Sequence, residues 1–272
     1  MPRPARPSAS GAPPLAVVTG ASSGIGRELA RLAAADGYRT LLVARRQERL
    51  AELAAELREA TGLEARVAAA DLTREAGLDA VAEAVGGDAI EVLVNNAGFA
   101  TWGPVEDTTE EALADVIALN IAALTRLTRR FLPSMRSHGR GFVLNVASTG
   151  AFLPGPDLAA YYASKAYVLS FSEALGEELR GSGVVVTCLC PGPTRTEFHE
   201  VAGMGDAPFM DRLWFMSAGR AAAAGWSGLT RGRPLVIPGV INRLTAWAPR
   251  LLPRLLVPRI VGAVQSARRS PP

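Results

Sequence analysis

A doubly wound α/β fold, a parallel sheet of about seven strands with helices on both faces, is what this sequence predicts. Six short apolar runs alternate with segments whose apolar residues recur at helical spacing, the pattern of parallel strands joined by crossover helices. Nearly every motif rich in Gly, Asn, Ser or Pro follows the carboxyl end of one of those runs, where sheets of this kind bind ligands. A third observation points to chemistry. The chain has 29 Lys plus Arg, yet Lys165 is its single lysine, and it stands four residues after Tyr161. An ammonium on a flexible stem can be tuned by its surroundings, whereas a guanidinium stays charged and planar.

The bulk properties set limits. A length of 272 residues suits one α/β domain, and 49% hydrophobic residues allow a sizeable core. A net charge of +3 suits a small phosphate-bearing ligand. No basic run is interleaved with aromatics, so nucleic acid is not an expected partner, and no metal is called for. Cys188 and Cys190 are two apart on an expected strand. They share a face and cannot bridge each other, so they read as buried thiols in a reducing, cytoplasmic compartment. Residues 1–14, rich in Pro, Arg, Ala and Ser, lack the apolar run of a signal peptide and read as a disordered tail. No window is apolar enough to span a bilayer.

Residues 15–19 form the first expected strand, running into Gly20-Ala-Ser22-Ser23-Gly24-Ile25-Gly26. Ile25, Leu29, Leu32 and Ala33 then recur at helical spacing. Strand, glycine-rich turn and helix together make a dinucleotide site: small residues admit a pyrophosphate, and the helix N-terminus faces its charge. Residues 40–44 form the second strand, closing on Arg45-Arg46. Where a carboxylate would hold a ribose 2′-hydroxyl stands Ala44, followed by two arginines that suit a 2′-phosphate. This predicts NADP rather than NAD. Arg45 is the stronger contact, and Arg46 is either a second contact or a solvated charge at a helix start.

Residues 47–59 are an amphipathic helix with Leu50, Leu53, Ala54 and Leu57 inward. Residues 66–70 are the third strand, ending in Asp71-Leu72. Asp71 either accepts from an adenine amino group or caps the helix over 76–85. Residues 90–94 are the fourth strand, reaching Asn95-Asn96-Ala97-Gly98, whose amides suit backbone bracing beside a ligand. Thr108 with Glu111 makes a capping box at the head of a helical region through 130. Asn120 sits inside it among Ile117, Leu119, Ile121 and Leu124, and a poor helix former there implies a purposeful break. Residues 141–146 are the fifth strand, followed by Ser148 and a Gly- and Pro-rich link over 150–157. Tyr161 heads a helix through 179, and residues 183–189 are a sixth strand stopped by Pro191-Gly192-Pro193-Thr194.

Tyr161 and Lys165, four apart on a helix, share one face. A nearby ammonium favours phenolate and lowers the tyrosine pKa toward working pH, as a general acid/base requires. Ser148 can donate its hydroxyl to a carbonyl oxygen. With a nicotinamide on the same sheet edge, these parts amount to hydride transfer between cofactor and ketone. Tyr162 points elsewhere and reads as packing.

The motifs Thr19-Gly20-x-x-x-Gly24-x-Gly26, Asn95-Asn96-Ala97-Gly98, Asn120, Ser148, Tyr161-x-x-x-Lys165 and Pro191-Gly192 occur in the order and spacing of the short-chain dehydrogenase/reductases. Over roughly residues 15–240 the chain resembles the NADP-preferring, single-domain branch of that family, whose fold is the Rossmann fold. The resemblance implies that Tyr161 is the acid/base and Ser148 orients the substrate. It implies that Lys165 also holds the nicotinamide ribose and that Asn120 kinks its helix to anchor a proton-relay water. Asp71 and Leu72 would flank adenine, and Thr194 and Thr196 would hold the carboxamide. A homodimer or homotetramer, formed through the long helices after Thr108 and Tyr161, is also implied.

Residues 197–216 are expected to be a lid over the substrate, their apolar positions at helical spacing reading as a lid helix or simply as a helix packed on the core. Phe209, Met210, Leu213, Trp214 and Phe215 there, with Phe99, Trp102, Phe152 and Leu153, imply an apolar pocket for a bulky ketone, aldehyde or secondary alcohol. No arginine or lysine is plainly placed there for a carboxylate or a carrier phosphate, Arg195 being the one candidate. Residues 217–229 read as a helix and 233–237 as a seventh strand, completing a domain over 15–240. The extension 241–272 mixes Leu, Ile, Val and Trp with Arg243, Arg250, Arg254 and Arg259. Pro249, Pro253 and Pro258 forbid one straight helix. It packs over the pocket or against another subunit, lies on a membrane surface, or is disordered.

Overall fold

The computed structural model describes residues 12–198 and 215–266. In chain order the elements are β1 (Leu15–Thr19), α1 (Gly24–Ala35), β2 (Arg39–Ala44), α2 (Gln47–Thr61), β3 (Ala65–Ala69), α3 (Glu75–Val85) and β4 (Ile90–Asn95). There follow α4 (Glu110–Ile117), α5 (Leu124–Ser137), β5 (Gly141–Val146), α6 (Ala159–Glu178) and β6 (Val184–Leu189). The last elements are β7 (Thr194–Arg195), β8 (Met216–Ser217), α7 (Ala218–Thr230), β9 (Leu235–Val236), α8 (Val240–Trp247) and α9 (Val257–Ser266).

Seven strands form one parallel sheet in the order β3-β2-β1-β4-β5-β6-β9. The apolar strands are buried on both faces, which is why they read as continuous runs rather than alternating ones. In β1, Ala16 and Val18 join a core with Leu29, Leu53 and Leu229, while Leu15 and Val17 join the opposite core with Val81, Leu127 and Leu175. The strand order reverses between β1 and β4, and that switch point opens a crevice at the carboxyl ends of the strands.

The glycine-rich turn is fixed by close approach. A Cβ on Gly26 would lie 2.2 Å from the Gly20 carbonyl oxygen and 2.4 Å from Asn96 Nδ2. Gly26→Ala is therefore expected to cost about 1–3 kcal/mol by overpacking. A melting temperature lower by roughly 2–10 °C, read by circular dichroism, is the expected result.

Several boundaries move. The expected seventh strand, 233–237, shrinks to Leu235–Val236. The cap of α4 is Thr109, whose side chain accepts from Ala112 N, while Thr108 Oγ1 donates to Pro104 O. The capping box on Thr108 is thus off by one: Val105–Asp107 forms a short 3-10 turn ahead of the helix and takes up Thr108. The ribbon of β7 and β8 was not expected, and two-residue strands leave no periodic signal. In the extension, α8, a 3-10 turn at Ala248–Leu251 and α9 replace any single helix, as the prolines require. Ala246 and Val257 are its buried anchors. Residues 1–11 of the expected tail and residues 199–214 of the expected lid, with Phe209, Met210, Leu213 and Trp214, lie outside the described residues.

Candidate active site

One end of the crevice starts at Gly20 and Gly24, whose positive φ values of 66° and 53° suit glycine. A Cβ on Gly24 would stand 2.8 Å from Thr196 Cγ2, so the loop and the segment after β7 are in tight contact. The loop is braced from β4, as the two amides suggested. Asn96 Nδ2 donates to Thr19 O at 3.0 Å and Gly20 O at 3.3 Å. Thr19 Oγ1 accepts from Asn96 N and Ala97 N and donates to Val94 O. Asn95 instead turns inward, its amide donating to Thr128 and Asn145.

The arginine pair splits. Arg45 is exposed at the crevice edge, with no hydrogen bond or ion pair among the described residues. Arg46 donates to Ser22 Oγ at 3.1 Å and to Glu197 Oε2 at 2.6 Å. Arg49, which sequence reasoning missed, also pairs with Glu197. Its signal was present, since one helical turn carries Arg46 to the neighbourhood of Arg49. Asp71 resolves toward a local role: its Oδ1 accepts from Thr73 N at 3.0 Å and Thr73 Oγ1 at 2.8 Å. Burial pushes its carboxyl up, but those bonds and the charges of Arg45 and Arg74 outweigh it and leave the group below its ordinary value. The residue preceding α3 as its cap is Arg74, so Asp71 closes the turn before the helix rather than capping it. Asp71 and Leu72 still line the crevice.

At the reaction end, the helical region after Thr109 opens into a π turn over Ala118–Ala123, and Asn120 lies in it. Asn120 Oδ1 accepts from Phe99 N at 3.1 Å, and its Nδ2 donates to Phe99 O at 2.9 Å and Ser164 Oγ at 3.0 Å. Ser164 Oγ donates to Tyr161 O at 2.7 Å. Asn120 therefore reaches the Tyr161 helix through Ser164, a residue that sequence reasoning passed over although it lies inside the Tyr161–Lys165 stretch. Gly98 leaves the space for this: a Cβ there would meet Asn120 Oδ1 at 2.9 Å and Lys165 Nζ at 3.3 Å.

Lys165 is 5% exposed, and its Nζ donates to Val146 O at 2.9 Å. It lies 5.8 Å from the centre of the Tyr161 ring, so the shared helical face holds. Burial lowers its pKa to about 8. Tyr161 departs from expectation. Burial pushes its phenol up to about 12, against the hydrogen bond from Ser148 that lowers it. The chain's own groups thus leave Tyr161 protonated, because the phenol is desolvated. Ser148 Oγ accepts from Gly150 N at 3.0 Å, which leaves its own proton to give. Tyr162 packs edge-on to Tyr161 and over Gly155, as a packing residue should. Cys188 and Cys190 are buried and unbridged, their sulfurs 3.7 Å apart.

Both ends share one cavity of about 1570 Å³. It runs from Ala44, Arg45 and Leu72 past Gly20, Ser23 and Ile25 to Ser148, Tyr161 and Lys165. Pro191, Gly192, Thr194 and Thr196 line it as well. Thr194 Oγ1 donates to Gly192 O at 2.9 Å. The shape fits a dinucleotide: glycines where a Cβ would intrude, cations at one end, a tyrosine and lysine at the other. Among the described residues no cluster of His, Cys, Asp and Glu could hold a metal. Asn242, from the extension, was also missed. A Cβ on Gly192 would lie 2.2 Å from its Oδ1, so α8 is seated directly on the Pro191-Gly192 turn.

A family model described as short chain dehydrogenase matches residues 14–204. A very-long-chain 3-oxoacyl-CoA reductase of Laccaria bicolor is 37% identical over 175 residues, 63% of this chain and 52% of that protein. The chain spans about half the length of such curated relatives. A short-chain dehydrogenase from Sphingobium yanoikuyae, solved in complex with NADPH, is 37% identical with a TM-score of 0.79, covering 88% of this chain and 93% of that one. A bulky-bulky ketone specific alcohol dehydrogenase from Comamonas testosteroni is 30% identical with a TM-score of 0.74 over 88% and 93% of the two chains. Motif order, sheet order and these likenesses converge, and the chain belongs to the short-chain dehydrogenase/reductase family.

Proposed function

We propose that the protein is an NADPH-dependent carbonyl reductase, reversible as an alcohol dehydrogenase, for a bulky apolar ketone, aldehyde or secondary alcohol. The observation that carries this is the single cavity joining the Arg45 edge to Ser148, Tyr161 and Lys165 and ending in an apolar wall. That wall includes Trp102, Leu153, Leu158, Phe198, Phe215 and Leu252. The Sphingobium neighbour's NADPH supports the cofactor, and the Comamonas neighbour's bulky ketones support the substrate. The Laccaria relative widens the class to 3-oxoacyl thioesters, which also carry a ketone beside a long apolar chain.

A reduced nicotinamide, when bound, supplies the hydride. Ser148 donates its hydroxyl to the carbonyl oxygen, and Tyr161 gives that oxygen a proton. The Lys165 ammonium faces the phenolate left behind, and Asn120 holds the Tyr161 helix in register through Ser164. Gly20, Ser22, Ser23, Gly24 and Gly26 admit the pyrophosphate, and Arg45 and Arg46 take the 2′-phosphate. Thr194 and Thr196 hold the nicotinamide end.

Two measurements test this. NADPH oxidation against a panel of aryl ketones, 3-oxoacyl thioesters and sugar ketones should favour the first two, and activity confined to polar polyols overturns the substrate class. Arg45→Ala should raise the KM for NADPH by about tenfold, the worth of one charge-assisted contact, and leave that for NADH nearly unchanged. Equal rises reject the 2′-phosphate reading. A nucleotide sensor without turnover is the competing reading. It gives no use for Ser148 and Tyr161 lining one cavity with the buried Lys165, and NADPH binding with no turnover on any carbonyl would favour it.

A further inference from the structure

The charge of this chain is divided along its length. After Asp211 there is no acidic residue, yet there are ten arginines: Arg212, Arg220, Arg231, Arg233, Arg243, Arg250, Arg254, Arg259, Arg268 and Arg269. The net charge of +3 is what remains of this basic stretch once an acidic remainder is set against it. Among the described residues, most of the large apolar side chains that face solvent lie between positions 240 and 260. Leu251 is 87% exposed, Leu255 83%, Val240 70%, Leu244 65% and Trp247 54%. Arg250 lies over the Trp247 ring at 4.4 Å. Arg243, Arg250, Arg254 and Arg259 are exposed among these residues.

We propose that residues 240–263 dock on an anionic lipid bilayer and that the substrate cavity opens onto it. Exposed Leu and Trp beside arginines, without a single carboxylate, match the apolar interior and the phosphate headgroups of such a surface at once. A second copy meets this face less well. In a two-fold contact the patch would meet itself, placing arginines against arginines with no acid to separate them. Nucleic acid would satisfy the arginines and leave the leucines in water. No helix among the described residues is long and apolar enough to cross a membrane.

The cavity makes the contact functional. Leu252 and Ile260 are 41% and 47% exposed and also line the cavity, with Pro249, Val257 and Val261 beside them. Leu252 and Ile260 therefore belong both to the outer apolar face and to the pocket wall. A long-chain ketone dissolved in the bilayer reaches the pocket along that surface without crossing water. This last step rests on the carbonyl-reductase reading, but the docking does not.

The test separates the two. The full chain is floated with vesicles of phosphatidylcholine carrying about one-third phosphatidylglycerol, and with phosphatidylcholine alone. Binding at least tenfold stronger to the anionic vesicles is expected, weakening at high salt. The double substitution Leu251→Glu and Leu255→Glu, at positions that do not line the cavity, should remove at least nine-tenths of that binding. It should leave turnover of a small water-soluble ketone unchanged. Absence of flotation, or flotation indifferent to the double substitution, overturns the proposal. So does light scattering in which the double variant turns a dimer into a monomer while vesicles bind neither form, since that assigns the face to a second copy. A chain that floats but reduces no ketone leaves the docking intact and rejects the reductase reading instead.

Discussion

Tyr161→Phe is expected to lower ketone reduction by about 10²–10⁴-fold, the usual worth of a positioned general acid, while NADPH affinity stays within about twofold. The substitution removes one hydroxyl and keeps the ring. That ring packs 5.3 Å from Phe198 and 6.0 Å from Tyr162, so the fold around it should stand. NADPH fluorescence titration reads the binding, and stopped-flow absorbance reads the turnover. Unchanged turnover would sink the assignment. The pH dependence follows from the phenol's position. With its pKa raised to about 12 by burial, the group is a proton donor throughout the neutral range, so reduction should be nearly flat from pH 6 to 7, below the point where Lys165 begins to lose its charge. Alcohol oxidation needs the phenolate and should climb with pH across the same range, about tenfold per unit if no other group intervenes.

The sheet was legible because parallel strands buried on both faces leave continuous apolar runs. Residues 141–146, for example, coincide with β5. Most of the site was legible because strand ends are punctuated by Gly, Asn and Pro, whose backbone needs are local. What sequence missed depends on distance. Ser164 matters because it touches both Asn120 and Tyr161 O, and Asn242 because α8 folds back onto Gly192. Glu197 gains its meaning only from Arg46 and Arg49, about 150 positions earlier in the chain. The lowered phenol pKa expected from the Tyr161–Lys165 spacing failed for a similar reason. Spacing places two groups on one face, but the desolvation around them and the carbonyl of Val146 come from other elements.

Lys165→Arg is expected to keep the charge and lose about 10²-fold or more in kcat, with a raised KM for NADPH. The ammonium sits between Val146 O at 2.9 Å and the space that Gly98 leaves free, where even a Cβ would come within 3.3 Å of it. A planar guanidinium has no room there and must push the Tyr161 face or the nicotinamide side apart, and misplacement by about 1 Å is enough for a loss of that size. Stability tells a complementary story. The folded pKa is lowered to about 8 by burial, so below pH 8 both folded and unfolded chains carry the proton and the fold bears the whole desolvation penalty. Between about 8 and the unfolded value the folded chain sheds its proton first, and stability rises with pH in that window. The shift corresponds to about 3 kcal/mol, offset in part because removal of the ammonium strands the Val146 carbonyl. Lys165→Met should therefore melt at or above the parent temperature at pH 7, lose the pH-dependent rise between 8 and 10, and be catalytically poor. A Met variant that melts well below the parent would show that the lysine holds the fold together. The expected outcome is the reverse: a fold that carries a costly buried charge at its strand ends, as the proposed chemistry requires.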